Sequence, residues 1–351
     1  MIPPPRVMDS SNESTSTQRC GAGLQVLISR RKPTPTQVFD TYWGFATERQ
    51  RVFRRRVRGE PGPWTSDPVL LAHRFTNPYR AADRVSQYLI REVAYGGTQA
   101  PDEVLLRVVL FKLFNRIATW ELLERAAGAI TCETFDVGRY DAVLSGALAA
   151  GKRIYSAAYI MPAASRSSSR KHRTHLELVS SMLVDRLPER LAEARSMEAA
   201  YELLLAYPGL GPFLAFQVVT DINYTTLLGF SEMEFVVPGP GARSGLRKCF
   251  SDPGDYDDAD LIRYTADHQA EEFARRGLDF QDLWGRPLQL VDCQNLFCEV
   301  DKYARVVHPR VQGVGNRTRI KQRFRPLSDR VTVWFPPKWG INDRIASEPG
   351  L

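Results

Sequence analysis

YPGLGPFLAFQVVTDI, Tyr207 to Ile222, sets a tight Pro-Gly-Leu-Gly turn between two apolar helical runs. Gly209 and Gly211 permit backbone angles with φ > 0, and Pro212 suits the first position of the following helix. The unpaired N–H groups of that helix start, at the positive end of its dipole, favour a phosphate oxygen without reading sequence. A helix-hairpin-helix meets a DNA backbone in this way. An ordinary αα-hairpin packed into the core fits the same pattern, with Leu210, Phe213, Leu214 and Phe216 as its apolar contacts.

Outward from the turn, helical spacing dominates. QVFDTYWGFATERQRVFRRRVRG, from Gln37, repeats its apolar and aromatic residues at helical intervals and stops at Gly59 and Pro61. RAADRVSQYLIREVAYGG (80–97) and PDEVLLRVVLFKLFNRIATWELLERAAG (101–128) are predicted as two further helices, each closed by glycine. YDAVLSGALAAG, HLELVSSMLVDRL, SMEAAYELLLAY, DADLIRYTADHQAEEFARRG and LQLVDCQNLFCEVDKYARV follow the same pattern. SRSSSRKHR (165–173) reads as a polar loop, and VTVWF (331–335) is the best of few strand signals. The expectation is an all-α fold, a single large helical array over residues 37–340. A Pro-, Ser- and Thr-rich tail over 1–36 is expected to be disordered, and 341–351 to form a short C-terminal tail.

With 351 residues, 43% of them hydrophobic, the chain can bury a large core. No run approaches the roughly 18 apolar residues that span a bilayer, and the N-terminus lacks the apolar segment of a secretory signal. The five cysteines are scattered without a C-x-x-C pair, so neither a disulfide framework nor a zinc finger is indicated. An intracellular setting is expected, nuclear if the source is eukaryotic. The net charge is +7, and 39 of the 47 basic residues are Arg. Guanidinium forks onto phosphate oxygens, which suits nucleic acid; biased genome composition yields the same count with no function attached.

The turn itself resembles the helix-hairpin-helix of base-excision DNA glycosylases, roughly L-P-G-V-G-x-K-T-A. Phe213 stands where the bifunctional members carry a catalytic lysine. Pro238, in Val237-Pro238-Gly239-Pro240, stands in place of the catalytic aspartate, so that resemblance implies a DNA-facing scaffold and not glycosylase chemistry. Longer strings point elsewhere: FTNPYRAADRVSQYLI (75–90), LFKLFNRIATWELL (110–123), RIYSAAYIMP (153–162), EFVVPGPGARSGLRKCF (234–250), GRPLQLVDCQNLFCEVDKYAR (285–305) and PPKWG (336–340). Together they resemble the helical domain of 5-hydroxymethyl-deoxyuridine (5-hmdU) DNA kinases, formerly α-glutamyl/putrescinyl thymine pyrophosphorylases. The resemblance implies an all-α, DNA-glycosylase-like fold. It also implies phosphorylation of the hydroxymethyl group of 5-hydroxymethyluracil in DNA, with ATP and magnesium. The implied partners are DNA containing modified thymine and, where the kinase is separate, other modification enzymes. A non-catalytic helical module that presents a modified base to a partner enzyme is the alternative, and a diverged glycosylase is a third.

Phosphoryl transfer needs a phosphate cradle, oxygen ligands for a divalent metal, and a group to orient the nucleophile. Gly146 to Arg153 mimics a Walker A motif, but Arg153 replaces its Ser or Thr and no strand precedes it. VPGPGARSGLRK (237–248) is the better anion site. Gly239, Gly241 and Gly245 would let successive N–H groups converge, with Arg243, Arg247 and Lys248 adding charge; a solvated basic turn is the plain alternative. On the helix after Pro287, Asp292, Asn295, Glu299 and Lys302 form one polar stripe, suited to metal or proton work or to a salt-bridge seam. Asp221, Glu232 and Glu234 are further carboxylate candidates, with Asp292 and Glu234 the metal ligands of choice. Arg80, Asp83 and Arg84 could orient a flipped base, read by Gln87 or Asn77, or form a structural pair. The Arg cluster 49–58 could grip phosphates on one face. His172 and His175 lack a third ligand.

Overall fold

The computed structural model describes residues 30–157, 162–163, 170–315, 317–325 and 331–348. The fold is all-α. Thr36 caps α1 (Gln37–Val57), its Oγ1 accepting from Val38 N at 3.1 Å, and Arg54 to Arg56 lie in the last turn, at the negative end of the dipole. Asp67 caps α2 (Pro68–Ala72) in the same way. A 3₁₀ turn, Arg80–Ala82, leads into α3 (Arg84–Tyr88), which runs on as a π turn over Leu89–Ala94. The single helix expected over 80–97 is therefore broken. Asp83 is extended there, its carboxylate accepting from Asn77 N at 2.9 Å.

The helix expected over 101–128 also divides, into α4 (Pro101–Phe114) and α5 (Ile117–Ala127). Asn115 sits between them in the left-handed region at φ 48, where Asn is better tolerated than most residues. α6 (Val137–Ala149), α7 (Lys171–Val184), α8 (Leu187–Ala192), α9 (Met197–Leu205) and α10 (Pro212–Ile222) follow. Then come α11 (Pro240–Cys249), α12 (Asp258–Asp267), α13 (Gln269–Arg275), α14 (Leu290–Val307) and α15 (Asn342–Ala346). α12 and α13 replace one expected helix, interrupted at His268. The Walker-like stretch is the tail of α6 and its cap, not a phosphate loop.

Two helices organise the core. α4 is buried on every side from Val104 to Phe114 and packs against α5, α7, α8 and α10. α14 packs against α1, α11 and α12. Their apolar residues belong to one continuous cluster. The α11–α14 contact is set by glycine. A Cβ at Gly241 would lie 2.9 Å from Cys298 Sγ, and one at Gly245 would run into the carbonyl of Phe297. Three of the glycines expected to curl a phosphate loop thus serve close approach: these two against α14, and Gly239 beside Phe213.

Three other expectations change. VTVWF forms no strand, because its amides go to side chains: Trp334 N to Gln87 Oε1 at 2.7 Å and Phe335 N to Asn342 Oδ1 at 2.9 Å. The strand pair among the described residues is β1 (Thr34–Pro35) against β2 (Phe250–Asp252), antiparallel. Residues 1–29 of the expected tail lie outside the described residues. Arg30 and Arg31, by contrast, are ion-paired to Asp260 and Asp252, and Thr36 N bonds Cys249 O at 2.8 Å. Of the loop 165–173, residues up to 169 lie outside the described set, and Lys171 to Arg173 open α7.

The Arg cluster of α1 mostly holds the chain to itself. Arg54 and Arg58 clasp Glu348 at 2.7 and 2.8 Å, with Arg54 stacked 3.9 Å from the Trp284 ring. Arg55 donates to Trp64 O at 2.9 Å, Arg51 pairs with Glu48 at 2.6 Å, and the half-buried Arg49 donates to Phe75 O at 3.4 Å.

Gly245→Ala is expected to cost about 3 kcal/mol through overpacking of α11 on α14, read as a lower melting temperature. Gly146→Ala has open space around its new methyl group and should instead stabilise α6 by about 0.5–1 kcal/mol. Equal melting temperatures for the two variants would refute the close-approach role.

Candidate DNA-facing surface and buried charge cluster

The hairpin formed by α9 and α10 keeps its turn at the surface. Pro208, Gly211 and Pro212 are exposed, and Gly209 adopts φ +83, the left-handed region that favours glycine. Gly211 is the N-cap of α10 and Pro212 its first residue; Gly239 and Pro240 repeat the arrangement at α11. The two helix starts are neighbours, since the Phe213 ring lies against Gly239, 2.5 Å from where a Cβ would stand. Each start leaves early amides without intrahelical acceptors. Arg243, in the first turn of α11, and Arg247, in its last, are exposed, with Asp258 between them at 3.7 and 3.1 Å. Lys248 is not available to a phosphate. It is buried, with Nζ 3.0 Å from both the carboxylate and the carbonyl of Asp301, beside Ser244.

Asp221 lies nine residues along α10 from Pro212, about 14 Å deeper at 1.5 Å per residue. It is fully buried, with Arg80 at 2.6 Å and Lys112 at 2.8 Å. Burial alone would raise its pKa, but the two cations outweigh it and hold the carboxyl below the ordinary value. Burial pushes Lys112 down to about 8 despite Asp221. Arg80 also donates Nε to Gln217 Oε1 at 3.1 Å, and its backbone N donates to Asp292 Oδ1 at 2.8 Å. The second oxygen of Asp292 accepts from Gln289 N at 3.0 Å, closing the capping box that starts α14. Burial, with the Glu232 charge nearby, raises Asp292 to about 7. Glu232 pairs with Arg286 at 2.7 Å, and that guanidinium stacks 3.9 Å from Trp339. Beside it, Lys338 of the PPKWG segment donates to the carbonyls of Asn223, Thr225 and Leu228.

The cluster therefore brings Asp221, Arg80 and Asp292 together, and adds Lys112, Gln217, Arg286 and Lys338, which the sequence had not singled out. A lysine inside the apolar run VVLFKLF was the available signal for Lys112. Other candidates lie apart. Glu234 and Arg84 are exposed, and Asn295 is half-buried. Glu299 accepts from Thr76 N at 3.0 Å and pairs with Lys302 at 2.6 Å, so the polar stripe of α14 is a structural seam. Gln87 is buried with both amide atoms bonded inside the chain, and Asn77 donates to Ala82 O. His172 bonds Asp141 and Ser145 through one nitrogen, each at 2.9 Å, while His175 bonds Tyr155 and Pro162.

Asp221, Asp292 and Glu234 do not present a shared magnesium–nucleotide site. Both oxygens of Asp292 are taken by backbone amides, Asp221 is taken by two cations, and Glu234 sits on the surface. No group of three or more His, Cys, Asp and Glu suited to a metal occurs among the described residues.

Two outcomes test the cluster. Lys112→Met leaves Asp221 with one cation, and breaking a buried pair of this kind costs about 3–5 kcal/mol, measurable by urea unfolding. Asp292 binds its proton more tightly folded than unfolded. Its contribution is therefore full below the ordinary 3.8 and is lost as pH rises towards about 7. Asp292→Asn removes that titration and should flatten the stability profile across this window; an unchanged slope would assign the pH dependence to other groups.

Comparison with known proteins adds the family. The model for "5-hmdU DNA kinase, helical domain" matches residues 36–313. A 5-hmdU DNA kinase of Bacillus phage SP10 is 29% identical over 302 residues, covering 79% of this chain and 46% of that protein. The chain thus spans less than half the length of this curated relative. No solved structure matches it. Among the described residues, no helix is long and apolar enough to cross a membrane. This chain belongs to the family of helical domains of 5-hmdU DNA kinases.

Proposed function

We propose that the chain acts in DNA hypermodification, in the phosphorylation of the hydroxymethyl group of 5-hydroxymethyluracil within DNA. Its own share is to grip the DNA backbone and present the modified base. The supporting observation is the exposed helix start Gly211-Pro212, joined through Phe213 to the start of α11, where Gly239 is buried and Pro240 exposed, with Arg243 and Arg247 exposed along α11, in a chain of this family. Such a surface contacts phosphates and fixes position without reading bases. The phosphate donor in this reading is a nucleoside triphosphate such as ATP, with magnesium. With Asp221 and Asp292 both consumed inside the fold, nucleotide and metal are assigned to a second unit, joined or separate. This favours the base-presenting reading over a kinase complete within these helices.

Purified chain, labelled ATP, magnesium and a duplex carrying 5-hydroxymethyluracil provide the test. Saturable DNA binding without label transfer is the expected result, and transfer restored by adding the partner kinase unit would complete it. Label transfer by this chain alone would move the phosphoryl chemistry back onto it. Absence of any DNA binding would overturn the reading. Arg243→Gln with Arg247→Gln should weaken binding evenly across sequences and lower the salt slope by about 2, at ~0.9 per phosphate contact.

A further inference from the structure

Beyond the hairpin, the structure carries a second cationic feature, in a stretch past the residues 36–313 that match the family. From Arg317 to Arg325 the chain reads RTRIKQRFR. Every odd position, 317, 319, 321, 323 and 325, is a cation, and all five are exposed. Ile320 packs against the core, and Phe324 is half-buried. Gln322 to Phe324 of this segment are held against the end of α2. Arg74 N donates to Gln322 O at 3.1 Å and Phe324 N to Ala72 O at 3.2 Å, around an antiparallel bridge between His73 and Arg323. Arg305 Nη1 donates to Arg319 O at 3.2 Å. No acidic residue occurs between Asp301 and Asp329, and none of the five cations is ion-paired among the described residues. Other arginines are paired, Arg58 to Glu348, Arg170 to Asp141 and Arg247 to Asp258 among them.

We infer that Arg317, Arg319, Lys321, Arg323 and Arg325 form a ladder that binds successive phosphates of one DNA strand. In extended chain, alternate residues recur every ~6.7 Å, a spacing of the same order as that of neighbouring phosphates along a nucleic-acid strand. A helix would scatter the same charges around its axis. The ladder turns no aromatic or large apolar side chain outward, so it offers neither a base-stacking platform nor a wedge for a lipid surface. Its contacts are with backbone and independent of sequence. The role rests on the DNA-handling reading above and extends it with a second contact.

The full chain is titrated into a labelled single strand, and into the matching duplex, across a range of salt. R317S/R319S/K321S/R323S/R325S should lose at least tenfold in affinity at low salt. Its slope for single strand should fall by up to ~3.5, at ~0.7 per contact, with an unchanged melting temperature because the side chains are exposed. T318R/R319T/Q322R/R323Q keeps composition and charge but destroys the alternation, and should also bind more weakly. Wild-type affinity in this second variant would reduce the ladder to net charge and overturn the spacing. DNA binding that survives the five-fold change intact would overturn the ladder while leaving the hairpin reading in place. No DNA binding by the wild type would remove both. Loss of binding confined to phosphatidylserine vesicles, with DNA unaffected, would reassign the row to a membrane.

Discussion

Burying the carboxylate of Asp221 forces much of the surrounding architecture. An isolated charge at that depth is prohibitive, so the fold must bring cations to it. Lys112 comes from α4, the most enclosed helix, and Arg80 from a 3₁₀ turn more than a hundred residues away from Asp221 in sequence. Arg80 is then anchored from the other side, because its backbone amide caps the carboxylate that starts α14. One ion triad thus fixes the relative placement of α4, α10 and α14. Replacing it by apolar residues of equal volume would not automatically weaken the protein. What would be lost is a reason for those helices to meet in one register only.

The hairpin, the helical class and the amphipathic character of α14 were legible in the sequence because each is written locally, in glycine–proline punctuation and helical spacing. Helix breaks were not. Asp83 leaves helical geometry where its carboxylate takes the Asn77 amide, and Asn115 turns left-handed between two runs whose apolar pattern never falters. The Pro- and Gly-rich stretch around residue 240 misled for another reason. Glycines four apart allow either a curled loop or close helix packing, and only Cys298 and the Phe297 carbonyl across the interface decide between them. Carboxylate candidates suffered the same ambiguity. Spacing put Asp292 and Glu299 on one face of a helix, and could not say that backbone amides of distant loops would reach them first.

These assignments divide the molecule by task. Its buried acids and its deepest cations hold helices together, while exposed cations lie on α11 and along residues 317–325. In the proposed reading, such a surface would meet a charged contour more than a chemical group. In that reading, discrimination for a particular base would come from whatever is inserted when the backbone is seated, with phosphoryl transfer left to a second unit.

The contact of Phe213 with the bare backbone of Gly239 has a mechanical consequence. Since no side chain separates them, the start of α10 cannot tilt without carrying the start of α11, and α11 is in turn seated on α14 without slack. The two helix starts are therefore coupled and not a pair of independent fingers. In the proposed reading, a DNA strand meeting them would do the bending itself, and a stiff duplex would be engaged less readily than one already loosened at the modified base.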